Sequence, residues 1–572
     1  MKQYLENYNR WLASDALTGG EKAELLSIAN DEDEIKFRFS SGLTFGTAGL
    51  RGTMKVGMNA MNVYTVAQAT QGLANLIHKQ GRAGDGVVIA YDCRNNSESF
   101  ARVSAEVLAA ANIPTYIFDS LRPTPELSFA LRELGCVAGI NITASHNPKQ
   151  YNGYKAYWDD GAQLPPEHAN TVYEETCKTD IFTGVVRTDF DRAVKDGKIV
   201  ILGGDMDEKY LSEVHKQIVN PDAVKKVADK LKIVYTPLHG TGHRLVPEIL
   251  GRIGLKHLYT VEEQFVIDGD FPTVAKPNPE YAEVFELGVD IANKVGSSLV
   301  IATDPDADRV GVMARAKDGN FKTITGNQMG ALLLDYIITA YEETGTMPPL
   351  PYAVKSVVST ELATKICKAH DVEMFNVLTG FKFIGEVIKN HEISGQGSFL
   401  FGFEESYGYL KGTYARDKDA VVATMLICEM TAYYYAKGMT LCDALDGLFQ
   451  KYGFCKEVNE ELYMEGVDGP ARMAEFLDTL RNATPSQLGG VNVSTFGDYK
   501  AEVFVDMSSG EKTPTGMPKT NMLCFKLENG DIVIVRPSGT EPKVKIYFLV
   551  NAQSEEIADQ RIGKYKISLN GK

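Results

Sequence analysis

The feature that most constrains the fold is a recurring pattern in which short, β-rich apolar runs end abruptly in polar loops containing Gly or Pro. Continuous apolar strands are typical of sheets that are covered on both faces. Helical patterns follow several of the runs, and this alternation of strand, loop and helix predicts α/β layers. The runs and their loops are GVVIAYDCRNNS, CVAGINITASHNP, LKIVYTPLHGTG, SSLVIATDPDADR, GSFLFGFEESYG and DIVIVRPSGTEP.

The length of the chain bounds the number of domains. A chain of 572 residues is too long for one hydrophobic core, and three to five domains are expected. The sequence pattern changes near residues 195–210, 320–328 and 452–460, which predicts four segments. Ligands of open α/β sheets bind at the carboxyl ends of strands, so the polar loops of several domains are predicted to face one cleft. The predicted segments are 1–203, 204–325, 326–455 and 456–572.

Charge and composition exclude some classes of protein. The formal net charge of −16 argues against a general nucleic-acid binder, which would carry a basic face, but allows a locally basic cleft for an anionic small substrate. The eight cysteines are scattered without CxxC spacing, so no zinc site or disulfide framework is expected. The N-terminus has no signal-peptide core, and no apolar run approaches membrane-spanning length. These features predict a cytoplasmic protein without membrane or nucleic-acid partners.

The acidic loop DPDADR predicts a metal site. Asp304, Asp306 and Asp308 alternate along the chain, and residues two apart in an extended segment face the same way. A bend would bring the three carboxylates onto one ion, and all-oxygen ligands suit a hard cation such as Mg²⁺. An EF-hand is excluded because its sixth and twelfth positions would be Arg309 and Arg315. A solvated acidic turn is the alternative, but the loop's place directly after an apolar strand favours a ligand site.

Two loops have the chemistry to hold a phosphate group. In RPSGTEPK, Arg536 offers paired donors, Gly539 lets backbone N–H groups approach an anion closely, and two hydroxyls follow. In FGTAGLRG, Arg51 would offset charge on a transferring phosphoryl group. A plain turn is the alternative for each loop. Walker and GxGxxG motifs do not occur, so the sequence gives no support for nucleotide binding. The hydroxyls belong to Ser538 and Thr540.

Two further loops carry polar residues suited to a sugar. GFEESYGY contains Glu404 and Ser406, a carboxylate and a hydroxyl that could bind sugar hydroxyls. VLTGFKF contains Lys382 after a Thr-Gly turn. Solvated surface loops are the alternative for both stretches.

The stretch TASHNP places Ser145 beside His146, a pair that suggests a hydrolase nucleophile and its base. The flanks do not fit the GxSxG turn of such an enzyme, and the sequence identifies no second histidine or acid to pair with the serine. Lys155 lies ten residues further on and would serve as a general acid or base if its pKa is lowered. A serine accompanied by a divalent-ion loop and a phosphate loop is better suited to carrying phosphate than to cleaving esters.

Together, GTAGLR, TASHNP, DPDADR, EES and RPSGTEP resemble the α-D-phosphohexomutase superfamily in their order and spacing, from about residue 40 to 550. The form GFEESYGY is most similar to the phosphoglucomutase/phosphopentomutase branch. The resemblance implies an α/β fold of four domains around a central cleft. Three are related mixed α/β-layer domains, and the fourth is a smaller C-terminal α+β domain of the TATA-binding-protein-like type. In chain order, the four segments would carry the phosphoserine loop, the metal site, sugar recognition and phosphate binding.

The resemblance also implies a role for each motif. The serine would carry a phosphate in the active enzyme, and that phosphate would share the metal ion with the three carboxylates. Lysine and histidine would serve in proton transfer, with the lysine the stronger candidate. Catalysis would then use Ser145, Lys155, Arg51 and His146; metal binding would use Asp304, Asp306, Asp308 and Ser145; substrate binding would use Arg309, Thr379, Gly380, Lys382, Glu404, Ser406, Arg536, Ser538, Gly539 and Thr540.

The implied activity is the interconversion of glucose 1-phosphate and glucose 6-phosphate. A phosphoserine would donate its phosphoryl group, and the resulting glucose 1,6-bisphosphate would reorient and return its other phosphate. Mg²⁺ and glucose 1,6-bisphosphate are the implied cofactors, and small sugar phosphates are the implied partners.

Several alternatives to this activity stay open. Family members often read G-E-x-S-G-H at the sugar loop, whereas Tyr407, Gly408 and Tyr409 follow Ser406 here, so a phosphopentomutase or phosphomannomutase is an alternative. Many members also have glycine where Pro305 stands in the metal loop. A metal-dependent sugar phosphatase and a catalytically inactive binding protein are alternatives from other classes.

Overall fold

The structure is a computed structural model that describes residues 2–46, 49–464, 468–538 and 543–570. The chain divides into two compact units. Each of the six apolar runs that were predicted to be strands forms a β-strand. The first unit comprises Met1–Ala314, Phe321–Thr323 and Leu410–Ala436, and the second comprises Arg315–Asn320, Ile324–Tyr409 and Lys437–Lys572.

The first sheet lies in the first unit and has six strands. Tyr151–Trp158 pairs antiparallel with both neighbours, whereas the pairings on the other side of the sheet are parallel. Val87–Tyr91 and Ala138–Ile142 are buried throughout, as their continuous apolar sequences predict. In sheet order the strands are Gly49–Thr53, Tyr151–Trp158, Ala138–Ile142, Val87–Tyr91, Thr115–Phe118 and Ile199–Leu202. The α-helices of this region are Gln3–Leu12, Gly19–Ser27, Glu32–Phe39, Val63–Lys79, Ser97–Ala110, Thr124–Glu133, Pro166–Lys178 and Phe190–Lys195, with a 3₁₀ turn at Ala83–Asp85.

The second sheet contains the strand that precedes the acidic loop. Leu299–Thr303 is buried throughout and pairs parallel with Lys232–Thr236 and antiparallel with Val310–Arg315. The loop DPDADR is therefore the connection of a tight strand pair, which brings its two ends together. In sheet order the strands are Phe321–Ile324, Val310–Arg315, Leu299–Thr303, Lys232–Thr236 and His257–Thr260. The helices are Gly204–His215, Pro221–Val227, Gly242–Arg252, Glu262–Phe265 and Glu286–Val295, with a 3₁₀ turn at Ala282–Phe285.

The helix Ala420–Ala436 also belongs to the first unit. It packs against Pro221–Val227 and Gly242–Arg252, and its Glu429 carboxylate accepts hydrogen bonds from the backbone N–H groups of Val219 and Asn220. An apolar helix with little amphipathic character is expected to be buried in this way. The predicted segment 326–455 thus contributes to both units, and the four predicted domain boundaries stay predictions.

The second unit contains a third mixed sheet and a C-terminal antiparallel sheet. The parallel strands of the third sheet alternate with helices, whereas the neighbouring strands of the C-terminal sheet pair antiparallel. In sheet order the third sheet is Glu373–Val377, Pro351–Ser356, Ser398–Glu404 and Gly408–Leu410. The C-terminal sheet is Phe454–Tyr463, Lys543–Ala552, Ile532–Pro537, Leu523–Leu527, Val491–Asp498, Val503–Asp506 and Lys512–Pro514, with Gln487–Leu488 paired to Val491–Asp498. The helices are Gly326–Thr344, Glu361–Ala369, Phe381–Ser394, Leu441–Tyr452, Gly469–Asn482 and Glu555–Asn570.

Among the described residues, no helix combines the length and the apolar character that crossing a membrane requires.

Candidate active site

Ser145 lies in the loop that follows the buried strand Ala138–Ile142, and its backbone has a left-handed φ of 51°. The residue is 3% exposed. Its Oγ donates a hydrogen bond to Asp304 Oδ2 at 2.7 Å and lies 3.2 Å from His146 Nδ1. The adjacent serine and histidine side chains therefore do meet, although neighbouring side chains in a chain usually diverge. The strained backbone is what aims the serine hydroxyl at the acidic loop.

The three aspartates of DPDADR form one buried cluster. Asp304, Asp306 and Asp308 are at most 2% exposed, and each offers a carboxylate oxygen within 4.8 Å of the other two. Ala307 has a left-handed φ of 48°, which provides the bend that the sequence predicted. Asp304 Oδ1 accepts hydrogen bonds from the N–H groups of Asp308 and Arg309, at 3.1 and 2.9 Å. The loop backbone thus fixes the first carboxylate and gathers the others around it.

Two of the carboxylate oxygens are left without a hydrogen-bond donor. Asp306 Oδ1 and Asp308 Oδ1 are buried and have no hydrogen-bond partner within the described part of the chain. A buried carboxylate oxygen without a partner is costly, and a divalent cation would satisfy it. The donor set is all oxygen, which suits a hard cation. These three residues therefore fit a metal site of the predicted kind.

Two ammonium groups flank the triad. Lys155 Nζ lies 2.7 Å from Asp306 Oδ2 and 3.3 Å from Asp308 Oδ2. Lys418 Nζ lies 3.2 Å from Asp308 Oδ2 and 3.0 Å from Asp417 Oδ1. Opposite charges at these distances in a buried site interact strongly.

The charges of the cluster move its pKa values in both directions. Burial, together with the neighbouring Asp306 and Asp308, holds the pKa of Asp304 well above its ordinary value. Burial alone would lower the pKa of Lys155, as a general base requires, but Asp306 and Asp308 outweigh burial and raise it. Burial and the nearby Arg309 and Arg51 guanidiniums hold the pKa of His146 well below its ordinary value. At neutral pH the lysine is therefore charged and the histidine is neutral.

Two arginines lie near His146 of the serine loop. Arg51, on the strand Gly49–Thr53, donates to Asn147 Oδ1 at 2.9 Å. Arg309, directly after the triad, donates to Glu280 Oε1 at 2.7 Å. The first unit thus brings together all of the predicted catalytic residues and metal ligands, with one predicted substrate-binding arginine.

The second unit brings together the residues predicted to bind sugar. Glu404 ends the strand Ser398–Glu404, is 5% exposed, and accepts a hydrogen bond from the Gly380 N–H at 2.6 Å. Gly380 has a φ of 121°, which an L side chain rarely adopts, so the Thr-Gly turn depends on glycine here. Thr379 Oγ1 is buried without a hydrogen-bond partner among the described residues, and Ser406 is half-buried in the turn after Glu404.

Lys382 lies near an aromatic ring, and the two tyrosines of GFEESYGY are buried. Lys382 Nζ lies 5.2 Å from the centre of the Phe383 ring, and burial lowers the pKa of this lysine. Tyr407 and Tyr409 are buried, and the Tyr409 hydroxyl donates to the Gly326 carbonyl at 3.2 Å. The tyrosines that depart from the common sugar-loop pattern are therefore packed into the protein interior.

Arg536 lies on the strand Ile532–Pro537 of the C-terminal sheet, in the same unit as Glu404. Its Nε is buried without a hydrogen-bond partner among the described residues. Leu378 and Phe383, which flank the Thr-Gly turn, pack in one cluster with Ile534 of this strand. The Ser538 N–H donates to the Lys543 carbonyl at 2.8 Å, across the base of the loop that was predicted to bind phosphate. The predicted binding residues Gly539 and Thr540 lie outside the described residues.

Three residues of this cluster were missed by reasoning from the sequence. Thr124 Oγ1 donates to Asp306 Oδ2 at 2.6 Å, Lys418 contacts Asp308, and the Arg94 guanidinium donates to the Ser145 carbonyl. Each joins segments more than fifty residues apart, which no local pattern reveals. Arg94 had a signal, because its loop YDCRNNS follows an apolar strand in the same way as TASHNP does.

Known proteins match this chain over nearly its whole length. The chain matches four domains of the phosphoglucomutase/phosphomannomutase family. Alpha/beta/alpha domain I matches residues 42–181, domain II matches 208–319, domain III matches 325–452, and the C-terminal domain matches 499–561. The phosphoglucomutase of Staphylococcus saprophyticus is 36% identical over 564 residues, covering 98% of each chain. The phosphoglucomutase of Staphylococcus aureus strain MSSA476 is 35% identical over 534 residues, covering 92% of each chain.

A solved structure shares the fold. The exocytosis-sensitive phosphoprotein pp63/parafusin (phosphoglucomutase) from Paramecium aligns with a TM-score of 0.69 at 20% identity, covering 92% of this chain and 94% of the other. The four matched domains, three with mixed α/β sheets and a smaller one at the C-terminus, confirm the predicted fold class. They also confirm the resemblance found in the motifs. The chain belongs to the phosphoglucomutase/phosphomannomutase family of the α-D-phosphohexomutase superfamily and is a phosphohexomutase-type isomerase.

Proposed function

We propose that the protein is a phosphoglucomutase that interconverts glucose 1-phosphate and glucose 6-phosphate through a phosphate carried on Ser145. The observation that carries this proposal is the hydrogen bond of 2.7 Å between Ser145 Oγ and Asp304 Oδ2 at a buried carboxylate triad. Relatives named phosphoglucomutase, which match almost the full chain, support glucose as the sugar.

The triad supports binding of a divalent cation, and we assign Mg²⁺ to it. Asp304, Asp306 and Asp308 would hold the ion together with a phosphate on Ser145, and the unpartnered Oδ1 atoms of the second and third aspartates support this assignment. When bound, the ion would offset negative charge on the transferring phosphoryl group.

In the first half-reaction, the bond between Ser145 Oγ and phosphorus breaks while a sugar hydroxyl oxygen forms a bond to the same phosphorus. The sugar hydroxyl loses its proton, and Ser145 Oγ takes one up. His146 Nδ1, 3.2 Å from Ser145 Oγ, is placed to exchange the proton at the serine. Lys155 is our candidate for the proton at the sugar hydroxyl, because a cation held by Asp306 and Asp308 would offset the charges that raise its pKa and would let the lysine accept that proton. Arg51 adds positive charge for the phosphoryl oxygens.

In the second half-reaction, glucose 1,6-bisphosphate presents its other phosphate, whose bond to the sugar oxygen breaks as Ser145 Oγ regains a phosphoryl group. Between the two transfers the sugar must reorient without losing its second phosphate to solution. We assign that holding function to the second unit: Arg536, Ser538, Gly539 and Thr540 for the phosphate that is not transferring, and Thr379, Gly380, Lys382, Glu404 and Ser406 for the sugar, with Arg309 from the first unit.

Small sugar phosphates are the proposed partners, and we place the protein in the cytoplasm, because such doubly charged substrates do not cross membranes unaided. The bound intermediate, glucose 1,6-bisphosphate, would also restore the phosphate of any enzyme that has lost it.

The proposal is tested with Ser145→Ala, using Ser27→Ala as a matched control because Ser27 is an exposed serine on an N-terminal helix. Turnover of glucose 1-phosphate is expected to fall to background in the first variant and to stay unchanged in the second. Full mutase activity of Ser145→Ala would overturn the mechanism.

The choice of sugar and of reaction is tested by a substrate panel. Glucose, mannose, ribose and deoxyribose 1-phosphates are compared, and isomerised product is measured beside inorganic phosphate. Preference for glucose with little inorganic phosphate is expected. Preference for a pentose would make the enzyme a phosphopentomutase, and stoichiometric release of inorganic phosphate would make it a phosphatase.

A further inference from the structure

We infer that Arg94 is a positioning residue that holds the Ser145 loop in the conformation needed for phosphoryl transfer. The inference rests on the proposed function, since it deepens the role of the same serine. Arg94 lies in the loop after the buried strand Val87–Tyr91, and its side chain is fully buried. A buried guanidinium group needs hydrogen-bond acceptors, and the acceptors of Arg94 indicate which segment it holds in place.

The acceptors of Arg94 are four backbone carbonyls of the serine loop. Nη2 donates to the carbonyls of Ser145 and Asn147, and Nη1 donates to those of Pro148 and Tyr151, at 3.0 and 3.1 Å. A single planar group therefore sets the path of the chain from the serine to the start of the next strand. Ser145 needs such an external constraint because its left-handed φ of 51° is unfavourable for a serine.

A chain of polar contacts also connects Arg94 to the Ser145 backbone N–H through Asp92 and Thr143. Asp92 Oδ2 lies 3.3 Å from Arg94 Nε and accepts a hydrogen bond from Thr143 Oγ1 at 2.6 Å. Thr143 Oγ1 in turn accepts one from the Ser145 N–H at 2.8 Å. Both the amide and the carbonyl of the serine are thus fixed by groups that converge on one carboxylate.

The face of the guanidinium is covered by a residue from the second sheet region of the same unit. Arg94 Cζ lies 5.1 Å from the centre of the Phe271 ring, a cation–π contact. Phe271 is 2% exposed and has a left-handed φ of 47°. Close approach of its loop depends on Gly269, since a Cβ there would lie 2.5 Å from the Asn95 amide nitrogen. The backbone is strained in both loops that meet at Arg94, which is typical of functional geometry.

Lysine cannot replace this arginine, because an ammonium group has no rigid planar fork to reach carbonyls on several sides. The test variant is therefore Arg94→Lys, which keeps the charge. The matched control is Arg102→Lys: Arg102 Cζ also lies against an aromatic ring, 3.9 Å from the centre of Phe190, but the arginine side chain is 42% exposed and pairs with Asp191, away from the serine loop. Mutase kcat and KM, thermal unfolding and Ser145 phosphorylation are measured for each.

We expect Arg94→Lys to lower kcat about 100-fold with KM within about twofold of wild type, because a misplaced nucleophile affects transfer more than substrate binding. Arg102→Lys is expected to behave as wild type. If folded Arg94→Lys keeps more than half of the wild-type kcat, or loses activity only through a raised KM, the inference is wrong. A wild-type enzyme without mutase activity or without phosphate on Ser145 would instead refute the proposed function.

If Arg94→Lys does not fold, Phe271→Leu against Phe190→Leu decides. Phe271→Leu is expected to lower kcat about fivefold with KM unchanged, whereas Phe190→Leu leaves kcat at the wild-type value. Equal kcat values for the two variants would overturn the inference.

Discussion

The two clusters proposed for function, around Ser145 in the first unit and around Glu404 in the second, differ in how much of their geometry is fixed in the protein alone. In the first unit, the serine and the three aspartates are at most 3% exposed and are held by neighbouring side chains and backbone groups. In the second unit, Glu404 is buried, but Ser406 and Arg536 are half-buried, and the Arg536 Nε has no hydrogen-bond partner among the described residues.

This difference is consistent with phosphoryl transfer at the first cluster and with holding of the sugar at the second. Groups that stabilise developing charge work best when they are oriented before the reaction, in a site that excludes water. Groups that hold a sugar while it reorients must bind it in two orientations, and polar groups whose bonding capacity is unfilled suit that task. A residue of the first cluster should therefore affect kcat most, and one of the second should affect KM.

The largest effect is expected for Asp304→Asn. Activity should fall at least about 1,000-fold, because the metal site and the contact to Ser145 lose a charge. The melting temperature should not fall, since the substitution relieves repulsion among buried carboxylates. Assays across a range of Mg²⁺ concentrations and thermal unfolding test both statements, with exposed Asp290→Asn as the control. A fall in melting temperature together with the loss of activity would show that Asp304 is needed for folding as well as for catalysis.

Lys155→Met should lower both the free energy of unfolding and the mutase kcat. It leaves Asp306 without its ammonium partner and Asp308 with Lys418 alone, so the free energy of unfolding is expected to fall by about 3 kcal/mol. Mutase kcat should fall about 100-fold. Denaturant unfolding and steady-state kinetics provide the measurements, and exposed Lys195→Met, at the end of the helix Phe190–Lys195, serves as the control. Unchanged stability would show that Lys155 does not balance the triad.

Arg536→Lys probes the second cluster. The variant keeps one positive charge but loses the paired donors, so KM for glucose 1-phosphate should rise about tenfold while kcat changes less than threefold. The control is Arg472→Lys, which alters an exposed arginine of the same unit. A fall in kcat with unchanged KM would remove the proposed division between transfer and holding.

The smallest effect concerns stability and pH in the second unit. Burial raises the pKa of Glu457 from its ordinary 4.5 to about 7. Between these values the folded state binds more protons than the unfolded state, so this residue makes stability fall as the pH rises. Glu457→Gln should therefore raise the free energy of unfolding at pH 8, relative to its effect at pH 5, by about 1–2 kcal/mol. Denaturant unfolding at the two pH values is the measurement, with exposed Glu475→Gln as the control; a difference of the opposite sign would contradict the assignment.

The sequence predicts the strands and the clustering of the alternating aspartates well, because both are local. Apolar runs such as Val87–Tyr91 and Leu299–Thr303 form wholly buried strands, and the alternating aspartates form one cluster once Ala307 supplies the bend. Polar residues at strand ends therefore indicate which side chains come together in the fold.

The partners of those residues are not local, and the sequence does not predict them. Lys418 reaches Asp308 across 110 positions of the chain, and Arg94 reaches the serine loop across 51. The charge of Lys155 depends in the same way on Asp306, which lies 151 positions away. The direction of its pKa shift follows from a balance between burial and charge that only the assembled fold sets.

The central claim is that Ser145 carries the phosphoryl group that reaches the sugar. Enzyme labelled with radioactive phosphate on Ser145, confirmed by peptide mass spectrometry, is mixed with unlabelled glucose 1-phosphate in a single turnover. We expect the label to leave the protein and to appear in glucose 1,6-bisphosphate and glucose 6-phosphate at the rate of turnover. Label that stays on Ser145 while product forms, or that is released as inorganic phosphate, would contradict the claim.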